Sequence, residues 1–137
     1  MENKKLLLIR KIGRFFIRKH YWILSDRPAQ AGDNAEALFC YLQKKKDIVP
    51  VFVIQKDSDD YERMKNIGKV VCPWSKEHKF LLCIADVSLT SHLHYFEKAH
   101  TETPLVFLQH GVAENDISSY LNPFFSRKHV HYFLDIV

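Results

Sequence analysis

A chain of 137 residues, 47% apolar and 26% charged, has the length and balance of one folded domain. It contains no run of about eighteen apolar residues, which excludes a membrane-spanning helix of that length within it. The net charge of +4 is localised: residues 1 to 20 carry seven Lys or Arg against one Glu, a net +6, so the other 117 residues sum to −2. The basic character therefore belongs to the N-terminal segment. The three cysteines, Cys40, Cys72 and Cys83, are odd in number and lack CxxC spacing. Each lies in an apolar neighbourhood and reads as a small core residue in a reducing compartment rather than part of a disulfide framework.

In chain order, Lys4 to Lys19 has helical periodicity. Leu8, Ile12, Phe15 and Phe16 fall on one side, and Arg10, Arg14 and Arg18 recur every fourth residue on another. The apolar stretch Leu6 to Ile9 is too short for a secretory signal, and no small-residue cleavage site follows. Two readings stay open: a helix packed on the domain with a solvated basic face, or an interfacial helix on an anionic membrane surface. Trp22 to Ser25 predicts the first strand, followed by a polar loop from Asp26. Asp33 or Asn34 is a helix N-cap, with Glu36 in the first turn of a helix over Ala35 to Lys45. A strand, a loop and a helix start are a place to hold an anion, through free backbone N–H groups. Neither GxGxxG nor GxxxxGK is present, so neither a dinucleotide fingerprint nor a P-loop is indicated.

Pro50 to Ile54 predicts a second strand, and Tyr61, Met64 and Ile67 a short helix closed by Gly68. Lys69 to Cys72 predicts a third strand, and Ser75 caps a helix through Phe80, Leu81 and Ile84. Asp86 to Ser91 is a fourth strand ending at His92, and Pro104 to Gln109 a fifth. A helical piece, Ile117 to Leu121, and a sixth strand, His129 to Val137, complete the chain. Alternating strands and helices with short connections give an α/β class with a mostly parallel sheet. The chain stops inside an apolar strand, so the expectation is the front part of a longer protein or a truncated gene.

Three strand ends are rich in polar groups: Asp26-Arg27, Ser91-His92 and Gln109-His110-Gly111. Parallel strands place all three on one rim, where ligands of open α/β sheets bind. A cation, two histidines and a helix start around one crevice suit an anionic, phosphorylated substrate. His110 can serve as general base, its reference pKa of about 6.5 being close to neutral pH, and Gly111 lets a ligand approach the backbone. The HxH pairs His92/His94 and His129/His131 have no third ligand at metal-binding spacing, so no metal is expected. No basic-aromatic stripe marks a nucleic-acid surface, and none is expected as a partner.

Taken together, Trp22 and Arg27, the run Asp33 to Leu42, Ala85-Asp86, Ser91-His92, Val106 to Val112 and Asp116-Ile117-Ser118-Ser119-Tyr120-Leu121-Asn122 resemble the CDP-glycerol glycerophosphotransferases. These enzymes build poly(glycerol phosphate) wall teichoic acids; related ones make capsules. The Gln109-His110-Gly111 element with its downstream tail is the most specific part. The resemblance implies the N-terminal half of a GT-B-like fold: a Rossmann-like acceptor-side domain over residues 21–137, preceded by the basic amphipathic helix of residues 1–20. It implies transfer of glycerol phosphate from CDP-glycerol to a hydroxyl of a lipid-linked polyol-phosphate or polysaccharide acceptor, peripherally on the inner face of the cell membrane, without a cofactor. His110 is the implied base; Arg27, Asp33, Asn34, Ser91, His92, Gln109, Gly111 and Asp116 are the implied substrate-side residues. For Asp33 and Asn34 the alternative is plain helix capping, and for Arg27 a surface ion pair.

Two departures from the family pattern stand out. Ala113-Glu114 follow the Gln-His-Gly-Val element where Thr-Lys is usual, which puts a carboxylate where a cation would stabilise a phosphoryl group. The CDP-glycerol-binding half is also expected to lie outside this chain, which by itself is then not expected to turn over. The alternative reading is a catalytically inactive remnant acting as a membrane-associated binding module.

Overall fold

The computed structural model describes residues 4–92, 103–108 and 130–134. Among them the chain runs α1 (Lys4–Phe16), β1 (His20–Ser25), α2 (Asn34–Leu42), β2 (Ile48–Val53), α3 (Tyr61–Ile67), β3 (Lys69–Val71), α4 (Lys76–Ile84), β4 (Val87–Thr90), β5 (Leu105–Leu108) and β6 (Val130–Leu134). Every strand and helix predicted within these residues is present, with ends shifted by a few positions. The expected helix over Ile117 to Leu121 lies outside them.

All six strands pair in parallel, in the order β3-β2-β1-β4-β5-β6. The chain starts in the middle of the sheet, steps outward to β3, then returns past β1 to lay down β4, β5 and β6. This is a Rossmann-like, doubly wound α/β fold. The strands are near-continuous apolar runs because both faces of the sheet are covered. Side chains alternate between the faces, so neighbours in sequence enter different cores. Leu24, Phe52, Leu89, Val106 and Leu108 pack with Ala35, Phe39, Leu42 and Met64 on the α2–α3 face. Ile23, Val51, Val53 and Val71 pack with Leu81, Leu82 and Ile84 on the α4 face.

Local chemistry fixes the helix ends. Asp33 is the N-cap of α2, and the Ser75 hydroxyl accepts the His78 N–H at 3.1 Å to cap α4. Gly68 closes α3, but its backbone is extended rather than left-handed. A Cβ there would lie 2.6 Å from the Gln43 side-chain amide, which would have to swing aside. One expectation is corrected: Cys40 is exposed on the outer side of α2 rather than buried, whereas Cys83 is a core residue. In α1, Arg10 and Arg14 reach Thr103 and Asp86 of the domain, and Leu8, Ile12, Phe15 and Phe16 are exposed.

Candidate functional site at the switch point

In the order found here, the direction of chain winding reverses between β1 and β4. The crevice beyond their carboxyl ends is where such sheets bind ligands. Ser25 and Thr90 are register partners at this point, and the Ser25 hydroxyl donates to Thr90 Oγ1 at 3.0 Å. The residues immediately beyond them are Asp26-Arg27 and Ser91-His92. Parallel pairing thus brings two of the three predicted polar strand ends together. The third, Gln109-His110-Gly111, lies outside the described residues, as does Asp116; the described part of β5 ends at Leu108 and runs parallel to β4.

Asp26 is 1% exposed and its carboxylate is heavily used. Oδ2 accepts the backbone N–H groups of Asp33 at 3.1 Å and Glu36 at 3.2 Å, and Oδ1 accepts that of Ala35 at 3.1 Å. The Ser91 hydroxyl donates to Oδ1 as well. The start of α2 was expected to offer free N–H groups to a bound anion. Those of Asp33, Ala35 and Glu36 are instead taken by the chain's own carboxylate, which also complements the helix dipole. Burial pushes the Asp26 carboxyl above its ordinary value, and the donors from Ser91, Asp33, Ala35 and Glu36 pull it part of the way back.

Above this anchor Arg27 Nε donates to His92 Nε2 at 3.2 Å, and Arg27 Nη1 reaches Gln30 Oε1 at 3.4 Å. A guanidinium only donates, so His92 Nε2 is the acceptor in this contact. The ion-pair alternative for Arg27 gives way to this contact with the histidine. Asp33 accepts the Asn34 N–H at 2.8 Å, so its carboxylate has a capping role. The loop carrying these groups is braced from the segment between β2 and α3. Gln55 N–H donates to the Pro28 carbonyl at 2.9 Å, the Ser58 hydroxyl to the Ala29 carbonyl at 2.8 Å, and Ala31 N–H to Asp60 Oδ2 at 3.0 Å. Arg63 ties Asp60 to Glu36 of α2. The Ala31 N–H and the Arg63 guanidinium hold the Asp60 carboxyl below its ordinary value. Gly32 turns the loop at φ +108°, a conformation that side chains rarely adopt. Among the described residues no group of three or more His, Cys, Asp or Glu is placed to hold a metal ion.

Sequence comparison supplies what geometry alone does not. The chain is 34% identical over 136 aligned residues to the minor teichoic acid biosynthesis protein GgaB of Bacillus subtilis (strain 168). The match covers 88% of this chain and 15% of GgaB. This likeness to a teichoic acid biosynthesis protein supports the kinship with glycerophosphotransferases that the sequence resemblance implied. The chain spans a small part of the length of this curated relative. No family model matches the chain, and no solved structure matches it.

The Rossmann-like sheet positions the Arg27–His92 pair at the switch point. The residue that sequence reasoning passed over is Asp26. It stood next to Arg27 as one more polar strand-end group, yet it joins the ends of β1 and β4 to the start of α2. The signal was available: a carboxylate directly after an apolar strand, seven residues before a helix N-cap, is placed to meet that helix's N–H groups.

Proposed function

We propose that this chain is the acceptor-side, N-terminal part of a CDP-glycerol glycerophosphotransferase-like enzyme of teichoic acid or capsule synthesis. The observation that carries the reading is the Arg27–His92 contact at the switch point, in a chain with family-level identity to a teichoic acid biosynthesis protein. In this reading the crevice receives a hydroxyl at the end of a lipid-linked polyol-phosphate or polysaccharide acceptor. His110 takes the hydroxyl proton, and the oxygen attacks the phosphorus that bears glycerol in CDP-glycerol. The P–O bond to the cytidylyl group breaks, glycerol phosphate passes to the acceptor, and CMP leaves. Arg27 supplies positive charge to acceptor phosphate, His92 holds the guanidinium in place, and Ser91 and Asp26 fix the floor. Asp33 and Asn34 shape the loop edge through their capping role, with Gln109, Gly111 and Asp116 completing the site around His110. CDP-glycerol itself is held by the partner half of the active site, supplied by sequence beyond this chain.

The enzyme works at the inner face of the cell membrane, with residues 1–20 as a separate contact for an anionic lipid surface and residues 21–137 as the acceptor-side domain. In support, α1 exposes an apolar stripe among lysines. The test is release of CMP from CDP-glycerol by the full-length protein and its His110→Ala variant. The expected loss is about 10²- to 10⁴-fold, the usual contribution of a general base. Unchanged activity in the variant removes His110 from the mechanism. A wild type that binds acceptor but releases no CMP supports the inactive binding module instead.

A further inference from the structure

α1 is amphipathic, but it is mounted in an unexpected orientation. Its inward side is Arg10, Gly13, Arg14 and, just past its end, Ile17. Arg10 Nη1 donates to Thr103 Oγ1 at 2.9 Å, and Arg14 Nη1 lies 2.5 Å from Asp86 Oδ1. Ile17 packs against the core on the α4 face. At Gly13 the helix backbone comes so near α4 that a Cβ would lie 2.7 Å from Ile84 Cγ2. Ile84, Asp86 and Thr103 all precede β4 or β5, so α1 is fastened near the amino ends of those strands, at the opposite rim from Arg27 and His92.

The outward side is apolar. Leu8 is 58% exposed, Ile12 51%, Phe15 82% and Phe16 75%, and the two phenyl rings meet edge to face with centroids 5.3 Å apart. Successive residues of a helix are about 100° apart, which puts Lys4, Lys5 and Lys11 on the same half of the cylinder. Those three are exposed, as are Arg18 and Lys19 beyond the helix. A second copy of the chain offers the same basic border and repels it. An anionic bilayer matches both parts at once, taking the aromatic side chains below the headgroups and the ammonium groups among them.

We infer that α1 is an in-plane insertion helix: Phe15 and Phe16, with Ile12 and Leu8, enter the acyl boundary of an anionic bilayer, while Arg10 and Arg14 mount the helix on the domain. This rests on the reading of residues 1–20 as a lipid contact and is independent of the chemistry in the crevice. It differs from purely electrostatic adsorption, because two of the arginines in the segment face the protein and the outward face is hydrocarbon.

The experiment is flotation of the full-length protein with vesicles of phosphatidylcholine and phosphatidylglycerol in equal parts. Wild type is compared with F15S/F16S at low salt and at about 1 M salt, where screening shortens to about 3 Å. Both side chains are exposed, so the variant keeps its fold, which its circular dichroism checks. The expected result is a loss of partitioning of about tenfold or more in F15S/F16S at both salt concentrations. The wild type is expected to remain largely bound at high salt. Equal flotation of variant and wild type, or full release of wild type by salt, overturns insertion while leaving surface adsorption standing. A wild type that does not float overturns the lipid contact itself. A lipid-free dimer that F15S/F16S abolishes assigns the face to a second copy and overturns the proposal.

Discussion

The Ser91 hydroxyl and the Asp26 carboxylate meet across the junction of β1 and β4, and through that contact the two strand ends and the start of α2 become one unit. Ser91 extends the strand that leads to His92, and Asp26 extends the one that leads to Arg27. The two upper residues therefore share a floor fixed by the two lower ones.

Removing either half of the floor destabilises the domain. Ser91→Ala leaves a buried carboxylate short of one donor, at a cost of about 1–3 kcal/mol. Asp26→Asn costs more, since one amide oxygen replaces two oxygens that together accept three backbone N–H groups, and the amide NH2 turns toward a donor. Urea unfolding of both variants beside wild type gives the ranking; an Asp26→Asn variant as stable as wild type contradicts it.

Acid sensitivity has a separate source. His78 is 1% exposed beneath Trp74, whose backbone N–H donates to its Nδ1 at 2.9 Å. Burial pushes this imidazole down to about 4. The unfolded chain, with a histidine near 6.5, takes up the proton first as pH falls. Stability is thus fully present above about pH 6.5 and is lost as pH drops toward 4, by about 3 kcal/mol over that window. Asp26 acts with the opposite sign: its raised carboxyl contributes below its unfolded pKa and fades as pH rises through the folded one. The readout is therefore the difference between wild type and His78→Asn, in which Asp26 cancels. The variant keeps an acceptor for Trp74 and is expected to lose the His78 slope. Parallel pH profiles for the two proteins would refute the assignment.

Gly13 is the contact point of α1. Gly13→Leu raises helix propensity by about 0.8 kcal/mol, yet its Cβ collides with Ile84. Overpacking of this kind costs about 1–3 kcal/mol, so tryptic cleavage between Arg10 and Arg18 is expected to speed up by about tenfold although the helix itself is intrinsically better. An unchanged digestion rate contradicts the close docking.

The sheet was legible because strands covered on both faces are uninterrupted apolar runs, as in Val51-Phe52-Val53 and Leu105-Val106-Phe107-Leu108. Caps at Asp33 and Ser75 marked the helix starts. Periodicity also divided α1 into two faces, but it says nothing about which face docks. That choice depends on Asp86 and Thr103, far along the chain, with Gly13 between Arg10 and Arg14 as the local clue. Asp26 was harder still. Its spacing to the Asp33 cap places a carboxylate near that helix start, and the approach of Asp33, Ala35 and Glu36 shows that its oxygens are used there. Cys40 misled because apolar neighbours in sequence lie on several sides of a helix.

The crevice itself is tested most directly by the acceptor KM of the full-length Arg27→Ala variant, measured by CMP release with CDP-glycerol saturating. Loss of one guanidinium contact to phosphate predicts a rise in acceptor KM of about tenfold or more, with the KM for CDP-glycerol changed by less than about twofold. An acceptor KM equal to that of wild type would contradict the placement of the acceptor between β1 and β4.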